Sequence, residues 1–120
     1  MPDTAEVWRI FTLPDGKSSM EKLEVQLPNG RSAMFGAKGV QIATMTPSTG
    51  PNWHTGPRRQ MLATISGQGE IETGDGQKLT VKPGVITLIE DLTGDGHITR
   101  TSPEGRVALV FPLEDGVRIE

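Results

Sequence analysis

The chemistry-bearing residues of this 120-residue chain centre on its two histidines, His54 and His97. His54 precedes a run of strand character that includes Gln60, and in an extended chain residues of equal parity point to the same face. We therefore expect His54 and Gln60 to face the same way. His97 follows a loop with two glycines and begins the next predicted strand. Two imidazoles and an amide oxygen can hold a divalent cation or line a pocket for a polar ligand, and both readings stay open.

Nearby residues extend this candidate site. Arg58 shares the parity of Gln60 and suits a carboxylate or phosphate ligand through its planar guanidinium, or an ion pair with an inward acidic residue. Trp53 can stack on a ligand at the mouth of a pocket or cap the core, and Arg100 adds a positive charge. The candidate ligand-binding residues are Trp53, His54, Arg58, Gln60, His97 and Arg100, and the candidate metal ligands are His54, Gln60 and His97.

The composition narrows the class of protein. The net charge of −3 disfavours binding to nucleic acid or to an anionic membrane through bulk electrostatics. The absence of cysteine excludes disulfides, thiolate metal ligands and cysteine nucleophiles. No apolar stretch approaches the roughly 18 residues of a membrane-spanning helix. The N-terminal residues lack the pattern of a signal peptide, so we expect a cytoplasmic protein.

The elements that would position the site are short strands separated by turns. Apolar residues alternate with polar ones in most of these segments, and glycine or proline follows them. A hairpin is expected around Gly74-Asp75-Gly76, and a turn at residues 102–105. The predicted strands span 7–11, 19–27, 39–46, 59–65, 69–73, 78–81, 85–89, 97–101 and 107–111. This pattern is typical of an all-β sandwich or barrel.

The segments WHTGPRRQ, SGQGEIETGDG, KPG and EDLTGDGH together resemble the core of the cupin superfamily, and the chain is similar to a group of small single-domain bacterial cupins. The resemblance implies a double-stranded β-helix (jelly-roll) barrel. It also implies one domain over residues 1–120, with N-terminal strands in 1–50 and the core motifs in about 51–112.

The same resemblance implies where a metal would bind. Cupins that bind a metal hold it with His, His, Glu and His; here those places are taken by His54, Gly56, Gln60 and His97. Glycine offers no side-chain ligand, and a neutral amide binds a divalent cation more weakly than a carboxylate. The cofactor that the resemblance leaves open is a weakly held divalent metal ion of unknown identity, and the alternative is a pocket without a metal.

Three functions follow from these observations as hypotheses. The first is a pocket that binds a small anionic molecule, with or without a metal. The second is a metal-dependent enzyme of the dioxygenase or isomerase type that acts on a small acid or sugar. The third is a non-catalytic sensor or interaction module. We also expect a homodimer, because the apolar segments 85–89 and 107–111 leave surplus hydrophobic faces and an exposed strand edge favours pairing.

Overall fold

The computed structural model describes residues 2–48 and 51–120, and this part of the chain is all-β, as the sequence predicts. The predicted N-terminal region over 1–50 includes Met1, Thr49 and Gly50, which lie outside the described residues. Within the described ranges the helical element is one 3₁₀ turn, Pro28–Gly30, and no helix is long and apolar enough to cross a membrane. The strands are β1 (Thr4–Thr12), β2 (Ser18–Gln26), β3 (Gln41–Met45), β4 (Gln60–Glu72), β5 (Lys78–Val81), β6 (Ile86–Ile89) and β7 (Ile98–Pro112).

The seven strands form one mixed sheet, which is compatible with a β-sandwich. The order is β2-β1-β6-β4-β7-β3, and β5 pairs with β4. Strands β1 and β6 run parallel, whereas the other pairs are antiparallel. The predicted hairpin is confirmed, because β4 and β5 pair from Gly69 and Val81 to Glu72 and Lys78.

Two predicted breaks between strands are wrong. Residues 60–65 and 69–72 of two predicted strands belong to β4, and residues 98–101 and 107–111 of two others belong to β7. Gly67 pairs with Arg106 and Gly69 pairs with Thr101, so residues 102–105 of β7 lie opposite a single residue of β4. Such a bulge accommodates proline and glycine without ending the strand. The bulge also offsets the alternation of side chains in β7, so that residues of opposite parity on its two sides, such as Thr101 and Arg106, are both buried.

Side chains are buried on both faces of the sheet, in two core clusters. Leu88 and Ile89 are neighbours in β6, yet they belong to different clusters because successive strand residues point to opposite faces. The first cluster consists of Ile10, Met20, Leu62, Ile71, Val81, Ile89 and Val110. The second consists of Val7, Val25, Leu88, Leu113 and Ile119. Segment 85–89 is therefore covered on both sides rather than left with a surplus apolar face.

Strand β3 and the residue before it instead carry apolar surface that faces outward. Val40 and Ile42 are 58% and 77% exposed, and Thr44 on the same side is also exposed. Ala43 and Met45 point the other way and pack against the first core cluster. Because β3 is the last strand in the sheet order, this apolar surface lies at an edge of the sheet.

Candidate functional site

The two histidines meet through both their backbones and their rings. The backbone N–H of His54 donates to the carbonyl of His97 at 3.0 Å, and the N–H of His97 donates to the carbonyl of His54 at 2.9 Å. The ring centroids lie 4.6 Å apart, with 57° between the planes. Gly96 makes this approach possible, because it has a φ of +75° and a Cβ at its position would overlap the backbone of His54.

The loop before His97 is hydrogen-bonded to the hairpin that β1 and β2 form. The hydroxyl of Ser18 donates to the carbonyl of Gly96 at 2.7 Å, and the N–H of Asp95 donates to the carbonyl of Gly16 at 2.9 Å. On the other side, the N–H of Gly56 donates to the carbonyl of Asp91 at 3.0 Å. The N-terminal strands therefore position the site as well as extend the sheet.

Both histidines have their Nδ1 atoms engaged. The Nδ1 atom of His97 lies 2.5 Å from Oδ2 of Asp91, a fully buried residue. The Nδ1 atom of His54 lies 3.0 Å from the carbonyl oxygen of Asn52, and a carbonyl can only accept, so this nitrogen carries the hydrogen. These contacts leave the Nε2 atom of each ring for a ligand.

A cavity of about 200 Å³ opens beside these rings; we call it the His97 cavity. Polar and apolar side chains line it in similar numbers, and the described lining contains no carboxylate. A cavity of about 150 Å³ can hold benzene, so this one has room for a ligand of about six to eight non-hydrogen atoms. Its lining comprises Met45, His54, Gly56, Pro57, Gln60, Leu62, Ile71, Thr87, Ile89, His97, Thr99 and Arg106.

Arg106 is the least expected member of this lining. It is only 5% exposed, and its Nη1 atom donates to the hydroxyl of Thr64 at 3.0 Å. Its buried Nε atom has no hydrogen-bond partner among residues 2–48 and 51–120, and none of the ion pairs found in those ranges includes Arg106. Burial lowers the pKa of Arg106 by desolvation, yet a guanidinium stays charged near neutral pH.

Sequence reasoning missed Arg106, although the sequence holds a signal for it. Arg106 shares the parity of Ala108 and Val110, which are both buried, so strand alternation from the apolar end of β7 directs all three to the interior. The predicted turn at residues 102–105 hid this relationship, because it placed Arg106 at a strand end.

Gln60 is buried in the lining as predicted by parity, whereas Arg58 lies at the exposed rim. The Nε atom of Arg58 donates to Oε1 of Gln60 at 3.1 Å, and its Nη2 atom donates to Oε1 of Gln41 at 3.1 Å. Arg58 therefore connects β3 to β4 and is not among the lining residues. Its contact also engages one of the two lone pairs of the amide oxygen that a metal would use.

The other two predicted ligand-binding residues lie outside the cavity. Trp53 is 47% exposed and lines a separate surface depression with Lys17, Gly74 and Asp95. Arg100 donates to Glu70 at 3.1 Å and to Glu72 at 2.9 Å, so two carboxylates neutralise its charge. No other predicted residue supplies the free positive charge that Arg106 brings to the cavity.

The position that resembles the second cupin histidine has no room for a side chain. A Cβ built on Gly56 would lie 2.5 Å from a methyl carbon of Ile89 and 3.4 Å from a carboxylate oxygen of Asp91. A separation of 2.5 Å is far inside van der Waals contact, so this glycine is required by close packing. Close packing against Ile89 therefore leaves no room for a side-chain ligand at position 56.

The remaining donors suit a divalent cation poorly. The amide oxygen of Gln60 already accepts a hydrogen bond, and Arg106 brings a positive charge to the lining of the same cavity. In the part of the chain that the structure describes, no group of three or more His, Cys, Asp or Glu residues could hold a metal ion. The metal site of His54, Gln60 and His97 stays a prediction, and the charge of the cavity favours an anion.

A scan against protein-family models and a search of curated proteins found no match to this chain.

Proposed function

We propose that this protein binds a small organic anion of the carboxylate class in the His97 cavity, with Arg106 as its principal anchor. The observation that carries the proposal is a buried guanidinium that lines the cavity and has no acidic partner in the described chain. Burying a charge is costly unless it is paired, so an anion that enters the cavity recovers part of this cost. The planar guanidinium matches a carboxylate through two parallel hydrogen bonds.

The remaining lining is consistent with a short carboxylate that carries one more oxygen. The hydroxyls of Thr87 and Thr99 can donate to that oxygen, while Leu62, Ile71 and Ile89 offer apolar contact to a short carbon chain. The volume of about 200 Å³ limits the ligand to a few carbon atoms. A cavity of ligand size also favours a binding role over a barrel that serves only as an interaction module.

The proposal includes the finer description of the fold, a jelly-roll barrel of the cupin type. It is supported by the mixed all-β sheet and by the backbone bridge between His54 and His97. These are the two residues that the resemblance assigns to the first and last site positions, so their contact agrees with that assignment.

A metal-dependent enzyme is the competing candidate, and one observation favours it. Both imidazoles have Nδ1 held by a carboxylate or a carbonyl and Nε2 free, as metal-bound histidines commonly do. Arg106 counts against it, because a guanidinium in the same small cavity repels a cation. The anion is therefore the better-supported ligand.

Thermal unfolding with matched ligand pairs tests the proposal. We expect acetate and pyruvate to raise the Tm of the protein, and the neutral acetamide and pyruvamide to leave it unchanged. A ligand at 100 times its Kd stabilises the folded state by about 2.7 kcal/mol, which such scans resolve. Arg106→Met removes the charge while keeping much of the volume and should abolish the shift.

Arg118→Met is the matched control, because the side chain of Arg118 is highly exposed and lies outside the cavity lining. This variant should respond to the carboxylates as the wild type does. Equal shifts with the amides, or an undiminished shift in Arg106→Met, would overturn the proposal.

A further inference from the structure

We infer that the His97 cavity catalyses proton exchange at the carbon next to the keto group of a small 2-oxo carboxylate. His97 is the base, Arg106 holds the carboxylate, and Asp91 is a positioning residue. This inference rests on the proposed function, since the anion must first bind beside Arg106. It goes beyond binding, because it assigns the cavity a reaction.

The geometry around His97 is that of an oriented base. Asp91 is fully buried, and its Oδ2 atom lies 2.5 Å from Nδ1 of His97. A carboxylate at Nδ1 fixes the hydrogen on that nitrogen, so Nε2 presents its lone pair to the cavity that the ring lines. The orientation of the base is therefore determined before a ligand enters.

The charge balance around Asp91 supports the same role. Its Oδ1 atom is buried without a hydrogen-bond partner in residues 2–48 and 51–120. Its one side-chain hydrogen-bond partner in those ranges is Nδ1 of His97. A carboxylate at Nδ1 stabilises the imidazolium that forms when Nε2 accepts a proton, as in other histidine–carboxylate pairs. A histidine that served only to fill the core would not need a buried charge beside it.

Other residues of the lining can stabilise the negative charge that develops on the keto oxygen when the proton leaves the carbon. Arg106 lies in the same cavity of about 200 Å³, which places a fixed positive charge near any ligand that His97 contacts. Thr87 and Thr99 line the cavity, and a hydroxyl that faces it can donate to a developing oxyanion. Fixed donors of this kind stabilise an enolate more than the neutral ketone, which lowers the barrier to its formation.

The reaction balances without an oxidant or a cofactor. The C3–H bond of the 2-oxo acid breaks, and the proton moves to Nε2 of His97. The electron pair of that bond forms the C2–C3 double bond, and the π pair of the keto group moves to its oxygen, which gives an enolate. The enolate then takes a proton back at C3, and His97 exchanges its own proton with water between the two steps.

Size and charge select the substrate class. Pyruvate has six non-hydrogen atoms and therefore fits the cavity volume. Its carboxylate can pair with Arg106, and its acidic methyl group offers a proton that His97 can remove. Larger sugar acids exceed the cavity, and simple carboxylates lack an acidic C–H bond. Short 2-oxo acids satisfy all three requirements.

Loss of the pyruvate methyl proton signal in deuterated water measures the exchange directly. The sample contains the full chain with EDTA, and an enzyme-free sample with the same buffer gives the background rate. Saturation transfer to the methyl signal, recorded on the same sample in ordinary water, reports binding separately. We expect binding together with exchange at least about 100-fold above background, the usual contribution of a positioned base.

His97→Gln should return exchange to the background rate while binding persists. Asp91→Asn should lower kcat about 10-fold or more with little change in KM, because the carboxylate orients the base and does not contact the anion. A purely structural role for Asp91 would instead lower the folded fraction and leave kcat per folded molecule unchanged. Arg106→Met should lose both binding and exchange.

Each result decides between the two proposals. Pyruvate that binds without exchange above background overturns this inference and leaves the proposed function standing. Exchange that persists in His97→Gln, or that needs an added divalent metal, also overturns it. If pyruvate does not bind at all, the inference fails for this substrate class, and the thermal shifts with the other carboxylates decide the proposed function on their own. Should His97→Gln fail to fold, wild-type exchange and the kcat of Asp91→Asn still decide the inference.

Discussion

Arg106 and Thr64 are joined by a hydrogen bond of 3.0 Å in the interior, from Nη1 of the guanidinium to the threonine hydroxyl. This neutral hydroxyl is the side-chain partner of the buried Arg106 within the described chain, and the Nε atom has none. One hydroxyl cannot neutralise a guanidinium, so the folded protein keeps a buried positive charge at a cost in stability.

Arg106→Met should therefore stabilise the ligand-free protein. Removing a buried donor without a partner relieves a penalty of about 1 to 3 kcal/mol, and methionine fills most of the vacated volume. The free energy of unfolding from urea titration, at constant m, measures the gain. A loss of stability comparable to that of a core truncation would show that Arg106 is already paired in the free protein.

Gly96→Ala should separate the two histidines. Alanine at φ +75° is strained, and its Cβ would overlap the backbone of His54, so the bridge between His54 and His97 must open. We expect a loss of about 1 to 3 kcal/mol in the free energy of unfolding, and faster hydrogen exchange at the amide of His97. Gly76→Ala is a control with a similar φ of +88° and open space around its Cβ. An equal loss of stability in the two variants would contradict the inference that Gly96 is needed for the close approach of His97 to His54.

The strand pattern of the sequence predicts much of this architecture. The alternation in 19–27, the turn chemistry at Gly74-Asp75-Gly76 and the apolar run 85–89 correspond to β2, the β4–β5 hairpin and β6. Periodicity did not predict the continuity of β4 and β7, because glycine and proline are common both in bulges within a strand and in turns that end one. The predicted turn at residues 102–105 placed Arg106 at a strand end, although alternation from Ala108 and Val110 directs its side chain to the interior.

The candidate site was predicted only in part, because some of its side chains are placed by contacts between distant strands. His54, Gln60 and His97 do line one cavity, whereas Trp53 and Arg100 lie elsewhere. Nothing local to residue 100 reveals that Glu70 and Glu72 neutralise its charge, since that contact depends on the register between β4 and β7. The partner of an arginine is a property of the tertiary fold.

Glu90 should make the stability depend on pH in the acidic range. Burial favours a higher pKa for this carboxyl, but hydrogen bonds from Arg9 and Arg59 outweigh it and hold the pKa below its ordinary value of 4.5. A depressed carboxyl pKa stabilises the fold above the unfolded value and loses this effect as the pH falls through the lower folded value. The free energy of unfolding should decline below about pH 4.5.

Urea titrations at several pH values test this dependence. In Glu90→Gln the stability at neutral pH should fall and the decline below about pH 4.5 should become shallower. Glu104→Gln, an exposed substitution in the β7 bulge, should keep the wild-type profile. A profile of Glu90→Gln parallel to that of the wild type would mean that Glu90 is not held by its two arginines in solution.

The outer edge of β3 is the surface where we expect a homodimer to form. An exposed edge can pair with a second copy, and Val40 and Ile42 add apolar contact beside it. Ile42→Lys places a charge in this surface and should convert the dimer to a monomer, as measured by light scattering at micromolar concentration. Ile65→Lys is the control, because Ile65 is also exposed but lies on β4, which β7 separates from the β3 edge. A wild-type monomer at tens of micromolar would rule the dimer out.

Elemental analysis tests the metal prediction. With a guanidinium in the cavity and the amide of Gln60 engaged, we expect well below one metal ion per chain after growth with iron, manganese, nickel and zinc. A content near one ion per chain, lost in the His54→Ala/His97→Ala double variant, would favour the metal-dependent enzyme instead.

The most direct test of the central claim is the NMR signal of the Arg106 Nε–H group, assigned by its loss in Arg106→Lys. Without ligand this buried group has no hydrogen-bond partner in the described chain. Titration with pyruvate should shift this signal, because a carboxylate that pairs with the delocalised guanidinium changes the environment of the whole group, and pyruvamide should leave it in place. A signal that stays in place while pyruvate saturates the protein would contradict the assignment of Arg106 as the anion anchor.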